Sequence, residues 1–285
     1  VDKYEDILVL QISALGMEQR KALIVSALQT IFSPRAIVER SDSSFRKFEG
    51  LSEANGILFG NLESETPIQL NGIKFSEDIL GGHKTGLYLD QQINYQRVAE
   101  LVRGGRVLDC FSFLGGFALH TARARAAHVH GLDQSADAVA AAEKNASVNG
   151  LAEKCSFEAV NVFDWFKTQT AVEPREKVIP RFDLIILDPP SFTRSRAAVA
   201  DALRGYKEIH LRALKLLKTG GTLATFCCSH HVDAALFQEV ILAAAFDAKK
   251  VLRRVAVYSQ SPDHPIIPAI PETEYLKGFA FELVR

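Results

Sequence analysis

Two short stretches of this chain carry residues able to do chemistry. The first is residues 181–192, RFDLIILDPPSF. A mostly apolar run, 182–187, is cut off by Asp188, Pro189 and Pro190, with Phe192 close behind. A short apolar run bounded by breakers reads as a strand buried on both faces. Proline cannot donate to a sheet ladder, so the pair ends the strand. Ligands of open α/β sheets bind at the carboxyl ends of strands, which makes Asp188 a carboxylate at the mouth of a cleft. Its plainer alternative is a cap on the next helix. The second stretch is Cys227-Cys228-Ser229-His230-His231, at the end of another apolar run. Strand alternation sends one cysteine to each face. A thiolate aimed into the cleft beside polar or cationic neighbours would be an activated nucleophile; the plainer reading is two packed thiols. Cys110 and Cys155 have no such neighbours and read as core, and no cysteine spacing suits a metal.

Three further polar residues fall at strand ends: Asp109 before the turn 111–117 (FSFLGGF), Asp133, and Asn161. Gly115 and Gly116 let the turn's backbone approach a ligand at a helix amino end, with Phe111, Ser112 and Phe117 around it. Aromatics at Phe111 and Phe113 break the G-x-G-x-x-G fingerprint. Asp133 stands where a carboxylate takes ribose hydroxyls, and Asn161 where a side chain reads an adenine edge. The spacing thus predicts a nucleoside-type cofactor over four successive strand ends. Residues 81–95, GGHKTGLYLDQQINY, lead into a helix and are too rich in Gly, Lys and polar groups for a bare linker. Tyr88, Asp90 and Gln91 there would wall the far end of the cofactor. Lys84, Arg194, Arg196, Arg204 and Lys207 could contact phosphates, or form a solvated face.

These residues need elements to hold them. From residue 106 the pattern alternates strand and helix, as in a parallel sheet. Strands are predicted at 106–110, 129–132, 156–160, 182–187 and 222–228. Helices are predicted after 117, from Ser135 to 149, at 198–218 (stopped by Gly220-Gly221) and at 233–246. The tail differs: runs at 250–257 and 279–284 flank a proline-rich loop too short for a crossover helix, so they pair antiparallel. A parallel sheet finished by a reversed strand disfavours an NAD oxidoreductase. Before residue 81, strands at 4–12, 35–39, 57–59 and 68–75 and a helix at 18–32 make a small α+β domain, with Asn71-Gly72 a hairpin signal. The predicted organisation is therefore 1–80 as a small α+β domain, 81–105 as a linker and leading helix, and 106–285 as an α/β domain. With 33 basic against 34 acidic residues, overall charge gives no nucleic-acid footprint, so any basic surface is local. No apolar run reaches membrane-spanning length and no leader is visible, which predicts a cytoplasmic protein; a start at Val1 is open to a trimmed chain, a fragment or a shorter relative.

Five segments together, GGHKTGLYLDQ (81–91), LDCFSFLGGFALH (108–120), FDLIILDPPSF (182–192), TFCCS (225–229) and DHPIIPAIPETEYLKGF (263–279), resemble the bacterial 23S rRNA 5-methylcytosine methyltransferases. The likeness covers nearly the whole chain. It implies a class I methyltransferase Rossmann-like fold with a reversed last strand, preceded by a small domain of RNA-recognition type. The implied cofactor is S-adenosyl-L-methionine, and the implied partner is ribosomal RNA, single-stranded or in a loop. Relatives usually add an amino-terminal PUA domain, and nothing here looks like one. Cys228 aligns with the family's nucleophile, usually within Ser-Cys-Ser-Gly, where this chain has Cys227-Cys228-Ser229-His230. The implied mechanism adds Cys228 to cytosine C6 while Asp188 holds the N3/N4 edge. The proton acceptor is open, with His264 a candidate that could equally stabilise its turn. DPP followed by Phe is also similar to enzymes methylating exocyclic amines, and a non-catalytic RNA-binding module is a further alternative.

Overall fold

The computed structural model describes residues 1–62, 67–76, 87–171, 178–193 and 195–285. They form two compact units, Val1–Tyr88 and Leu89–Arg285.

In the first unit, β1 (Asp2–Tyr4) and β2 (Ile7–Leu10) form an antiparallel pair. The expected single strand at 4–12 is broken because Glu5 turns the chain at φ 52. Helices α1 (Leu15–Glu18) and α2 (Lys21–Phe32) cross over to β3 (Ala36–Ser41), parallel to β2, and β4 (Ala54–Gly60) adds antiparallel. A separate hairpin joins β5 (Pro67–Leu70) to β6 (Ile73–Ser76). Its turn residues Asn71 and Gly72 both have positive φ, as the two-residue hairpin turn requires. Leu8, Leu10, Ile12 and Ile37 form the core under α2.

The second unit begins with a short turn, Leu89–Gln91, and α3 (Gln92–Ala99). The alternating segment follows: β7 (Arg106–Cys110), α4 (Gly116–Arg123), β8 (His128–Asp133), α5 (Ala136–Val148), β9 (Cys155–Ala159), α6 (Val162–Thr170) and β10 (Phe182–Leu187). It continues through α7 (Val199–Leu216), β11 (Leu217–Cys227), α8 (Ala234–Asp247), β12 (Leu252–Ser259) and β13 (Lys277–Leu283). The sheet order is β12-β13-β11-β10-β7-β8-β9. Only β13 runs against its neighbours, and it lies between β11 and β12 rather than at the edge. Gly220-Gly221 does not stop α7, which ends at Leu216. The glycines sit inside β11, where the ladder skips from Phe182↔Leu217 to Leu184↔Thr222. β7, β10 and β11 are the central strands, buried on both faces by α4 on one side and α7 and α8 on the other. That explains their unbroken apolar runs.

Candidate active site

The carboxyl ends of β7, β8, β10 and β11 all open on the same edge of the sheet, since these strands are parallel. The first turn there is sharply bent. Phe111, Phe113 and Gly115 have φ of 67, 47 and 85, and two non-glycine residues in that region mark a strained turn of the kind found at ligand sites. Asp133 holds it: one oxygen accepts from Phe113 N at 2.9 Å, the other from Ser135 N at 3.0 Å. Asp109 accepts from Ala118 N at 2.9 Å through Oδ2. Its Oδ1, and the hydroxyl of Ser112, are buried without a hydrogen-bond partner. Burial above all, then the charge of Asp188, raises the Asp109 carboxyl well above its ordinary range. A buried acceptor and hydroxyl left unsatisfied beside a glycine turn and a helix amino end fit a polar, cationic ligand such as the methionine part of S-adenosylmethionine. Gly116 leaves no room for a side chain, since a Cβ there would lie 2.6 Å from Tyr95 Cζ. Phe117 departs from its expected place: its ring packs against Tyr95 and Phe226 in the core, so only its backbone can face a ligand. Asn161 caps α6, its oxygen accepting from Phe163 N and Asp164 N.

Asp188 follows β10 and keeps part of its surface open. It does not cap a helix; the next one, α7, starts at Val199. Burial, then the charge of Asp90, pushes its carboxyl up to about 7, while a hydrogen bond from Gln91 opposes the shift. That bond, Gln91 Nε2 to Asp188 Oδ1 at 3.0 Å, corrects the expected place of Gln91: it is turned to the carboxylate, not held free to wall a cofactor. Asp90 accepts from the Tyr275 hydroxyl at 2.9 Å, and its other oxygen is buried without a partner. Tyr88 is exposed and closes the first unit.

The two cysteines part as strand alternation requires. Cys227 is fully buried and donates to the Tyr206 hydroxyl. Cys228 is half-buried, its Sγ 3.9 Å from the carbonyl of Pro189, the residue after Asp188. Of the polar or cationic neighbours expected, the Lys277 ammonium lies within electrostatic reach of Cys228, but acidic groups outweigh it. Burial, then Asp188, Cys227 and Asp90, pushes the Cys228 thiol up to about 12, so it is a protonated thiol in the free protein. Ser229 is buried behind it, its hydroxyl 3.0 Å from those of both Ser191 and Tyr206. Its carbonyl accepts from the buried ammonium of Lys277 at 2.9 Å. Sequence reasoning assigned no role to Lys277; the signal was a lysine at the start of a mostly apolar terminal strand. Cys110 is core as expected, but Cys155 is only half-buried at the start of β9, an edge strand of the sheet.

The basic residues scatter. Arg204 pairs with Asp201 on α7 and Lys207 with Asp247 at 2.7 Å, so both charges are answered within the chain. Arg196 is exposed ahead of α7, while Lys84 and Arg194 lie outside the described residues. His264 donates its backbone N–H to Ser261 O and has Asp263 beside its ring, as a turn residue would. Among the described residues no group of His, Cys, Asp and Glu could hold a metal, and no helix is long and apolar enough to cross a membrane.

The S-adenosylmethionine-dependent methyltransferase family model matches residues 47–277. Ribosomal RNA large subunit methyltransferase I of Vibrio vulnificus (strain CMCP6) is 41% identical over 288 residues, covering 100% of this chain and 71% of that protein. Its namesake from Aeromonas salmonicida (strain A449) is 42% identical over 280 residues, covering 98% and 69%. Among solved structures, a methyltransferase complexed with SAH superimposes with TM-score 0.80 at 21% identity over 98% of this chain and 70% of its own. Trm5b from Pyrococcus abyssi gives TM-score 0.70 at 16% identity, over 100% and 74%. At those identities the structures establish the class I Rossmann-like fold. The chain belongs to the family of S-adenosylmethionine-dependent methyltransferases that includes the curated ribosomal RNA large subunit methyltransferases I.

Proposed function

We propose that the protein methylates C5 of a cytosine in large-subunit ribosomal RNA through a covalent link to Cys228. The names of the relatives supply the RNA. The observation that carries the chemistry is the placement of Cys228 Sγ 3.9 Å from the carbonyl of Pro189, next to Asp188, at the mouths of adjacent strands. Cytosine C5 is a poor nucleophile until C6 has accepted one.

Burial raises both the Asp188 carboxyl and the Cys228 thiol, and while Asp188 is ionised its charge keeps the proton on sulfur. Ionised Asp188 takes that proton and passes it to cytosine N3 as the thiolate forms the C6–S bond. The C5–C6 π pair then becomes enamine-like, and N3 carries the proton the thiol lost. The proton leaves sulfur through Asp188, so negative charge does not build up on the thiol before the C6–S bond forms. Once Asp188 is protonated it cannot take the thiol's proton, and the transfer stops. Asp109, Ser112 and the turn 111–116 would hold S-adenosylmethionine, with Asp133 near its ribose and Asn161 near its adenine. When bound, it supplies an electrophilic methyl group. Loss of the C5 proton to solvent is followed by cleavage of the C6–S bond, as N3 returns its proton through Asp188 to the departing sulfur and restores the thiol.

Methylation of an exocyclic amine is less well supported. The Phe192 ring after DPP packs on Tyr206, 4.5 Å between centroids, and on Phe163, rather than standing free to stack on a base. The target cytosine must leave its stack, so a loop or single strand is the substrate form, and a small domain of RNA-recognition type would help hold it. Such a substrate places the protein in the cytoplasm. Incubation with labelled S-adenosylmethionine and unmodified ribosomal RNA, followed by mapping of the label, tests this reading. It expects 5-methylcytidine; label on an exocyclic amine, or no transfer, overturns it.

A further inference from the structure

We propose that Gln91 and Asn94 form a positioning relay that dictates which oxygen of Asp188 can carry a proton, with its polarity set by the backbone carbonyl of Ser259. The proposal rests on the reading above of Asp188 as the proton carrier to the base.

A backbone carbonyl can only accept hydrogen bonds. Ser259 O therefore requires the amide nitrogen of Asn94, and Nδ2 lies 2.9 Å away. The same Nδ2 has a second hydrogen, given to Gln91 Oε1 at 2.7 Å. With its oxygen so engaged, Gln91 must turn its Nε2–H to Asp188 Oδ1, at 3.0 Å. Neither amide can flip without setting two acceptors or two donors face to face. Oδ1 is thus held as an acceptor, and a proton on Asp188 must sit on Oδ2. Both amide residues are buried, Gln91 at 3% and Asn94 at 1% exposure, so water does not relax the constraint. Such a chain has no structural need of its own, since an apolar α3 face would pack on the sheet equally well. It delivers the proton of Asp188 from one defined oxygen.

The titratable groups that face Asp188 are Asp90, Asp109 and Cys228, with Tyr275 reaching it through Asp90; all disfavour its ionised form or leave it unchanged, and the donation from Gln91 is the opposing contact. Removing that contact must move the pH at which Asp188 ionises upward. The test measures single-turnover methyl transfer to unmodified ribosomal RNA against pH for the full chain, Gln91→Glu and Gln91→Leu, with S-adenosylmethionine affinity by calorimetry as a check of the fold. The acid limb should rise by about one pH unit in Gln91→Leu. It should rise further in Gln91→Glu, whose carboxyl competes for the same proton, with a rate at least about tenfold lower at neutral pH. Cofactor affinity stays unchanged. An unmoved limb in either variant that binds the cofactor overturns the relay. The relay and the C5 chemistry fail separately, because methyl mapping judges the second and the pH limb the first.

Discussion

Replacing Asp188 by Asn should stabilise the protein while removing its activity, and the stabilisation should depend on pH. In the folded chain the carboxyl is raised from its ordinary 3.8 to about 7. A raised group favours folding fully below the unfolded value, and that contribution is lost as pH rises through the folded one. Asn mimics the protonated form at every pH, and its oxygen can still accept from Gln91 Nε2. A shift of roughly three units corresponds to about 4 kcal/mol above pH 7, an upper bound because Asp188 keeps some open surface and water screens it. Near pH 4 the difference should shrink to well under about 1 kcal/mol. The single tryptophan, Trp165, is packed against Phe166 and Phe182 in the second unit, so its fluorescence follows unfolding of the unit that holds Asp188. Urea melts of both proteins at pH 8 and pH 4 give the comparison. An Asn variant no more stable at pH 8, or one equally stabilised at both pH values, would refute the electrostatic reasoning.

Gly116→Ala forces a methyl to within 2.6 Å of the Tyr95 ring, so it should cost about 1–3 kcal/mol and weaken S-adenosylmethionine binding in calorimetry. In the first unit, buried Arg46 donates to Ser52 O at 2.7 Å and to Ile12 O and pairs with Glu18 at 3.1 Å. Arg46→Ala should destabilise that unit by about 3–5 kcal/mol, seen as faster proteolysis before residue 88 with the Trp165 melt unchanged. Ser229→Ala removes the hydroxyl shared by Ser191 and Tyr206 behind Cys228; methyl transfer should fall about tenfold with folding weakened by only about 1 kcal/mol.

The sheet was legible because its central strands are buried on both faces and read as unbroken apolar runs ended by prolines or polar residues. The insertion of β13 between β11 and β12 was not, since sequence neighbours pair by default and nothing local specifies the third partner. Gly220-Gly221 read as a helix stop because a glycine pair punctuates either element, and only the ladder shows it as an irregularity within β11. Asp188 and Cys228 were found from strand-end position alone. What surrounds them was not: Gln91 and Asn94 reach Asp188 from α3 and the turn before it, far away in sequence, and Lys277 comes from the last strand. The thiol's electrostatic surroundings were hidden for the same reason, since Asp188 and Asp90 come from two segments distant in sequence.

The most direct test of the account uses large-subunit ribosomal RNA transcribed with 5-fluorocytidine, whose C5 carries no removable proton. Incubated with S-adenosylmethionine, the wild-type chain should form a denaturation-resistant protein–RNA adduct through Cys228, absent with Cys228→Ser. Normal methylation by Cys228→Ser, or no adduct with the wild-type chain under conditions where it methylates ordinary RNA, would contradict covalent cytosine chemistry.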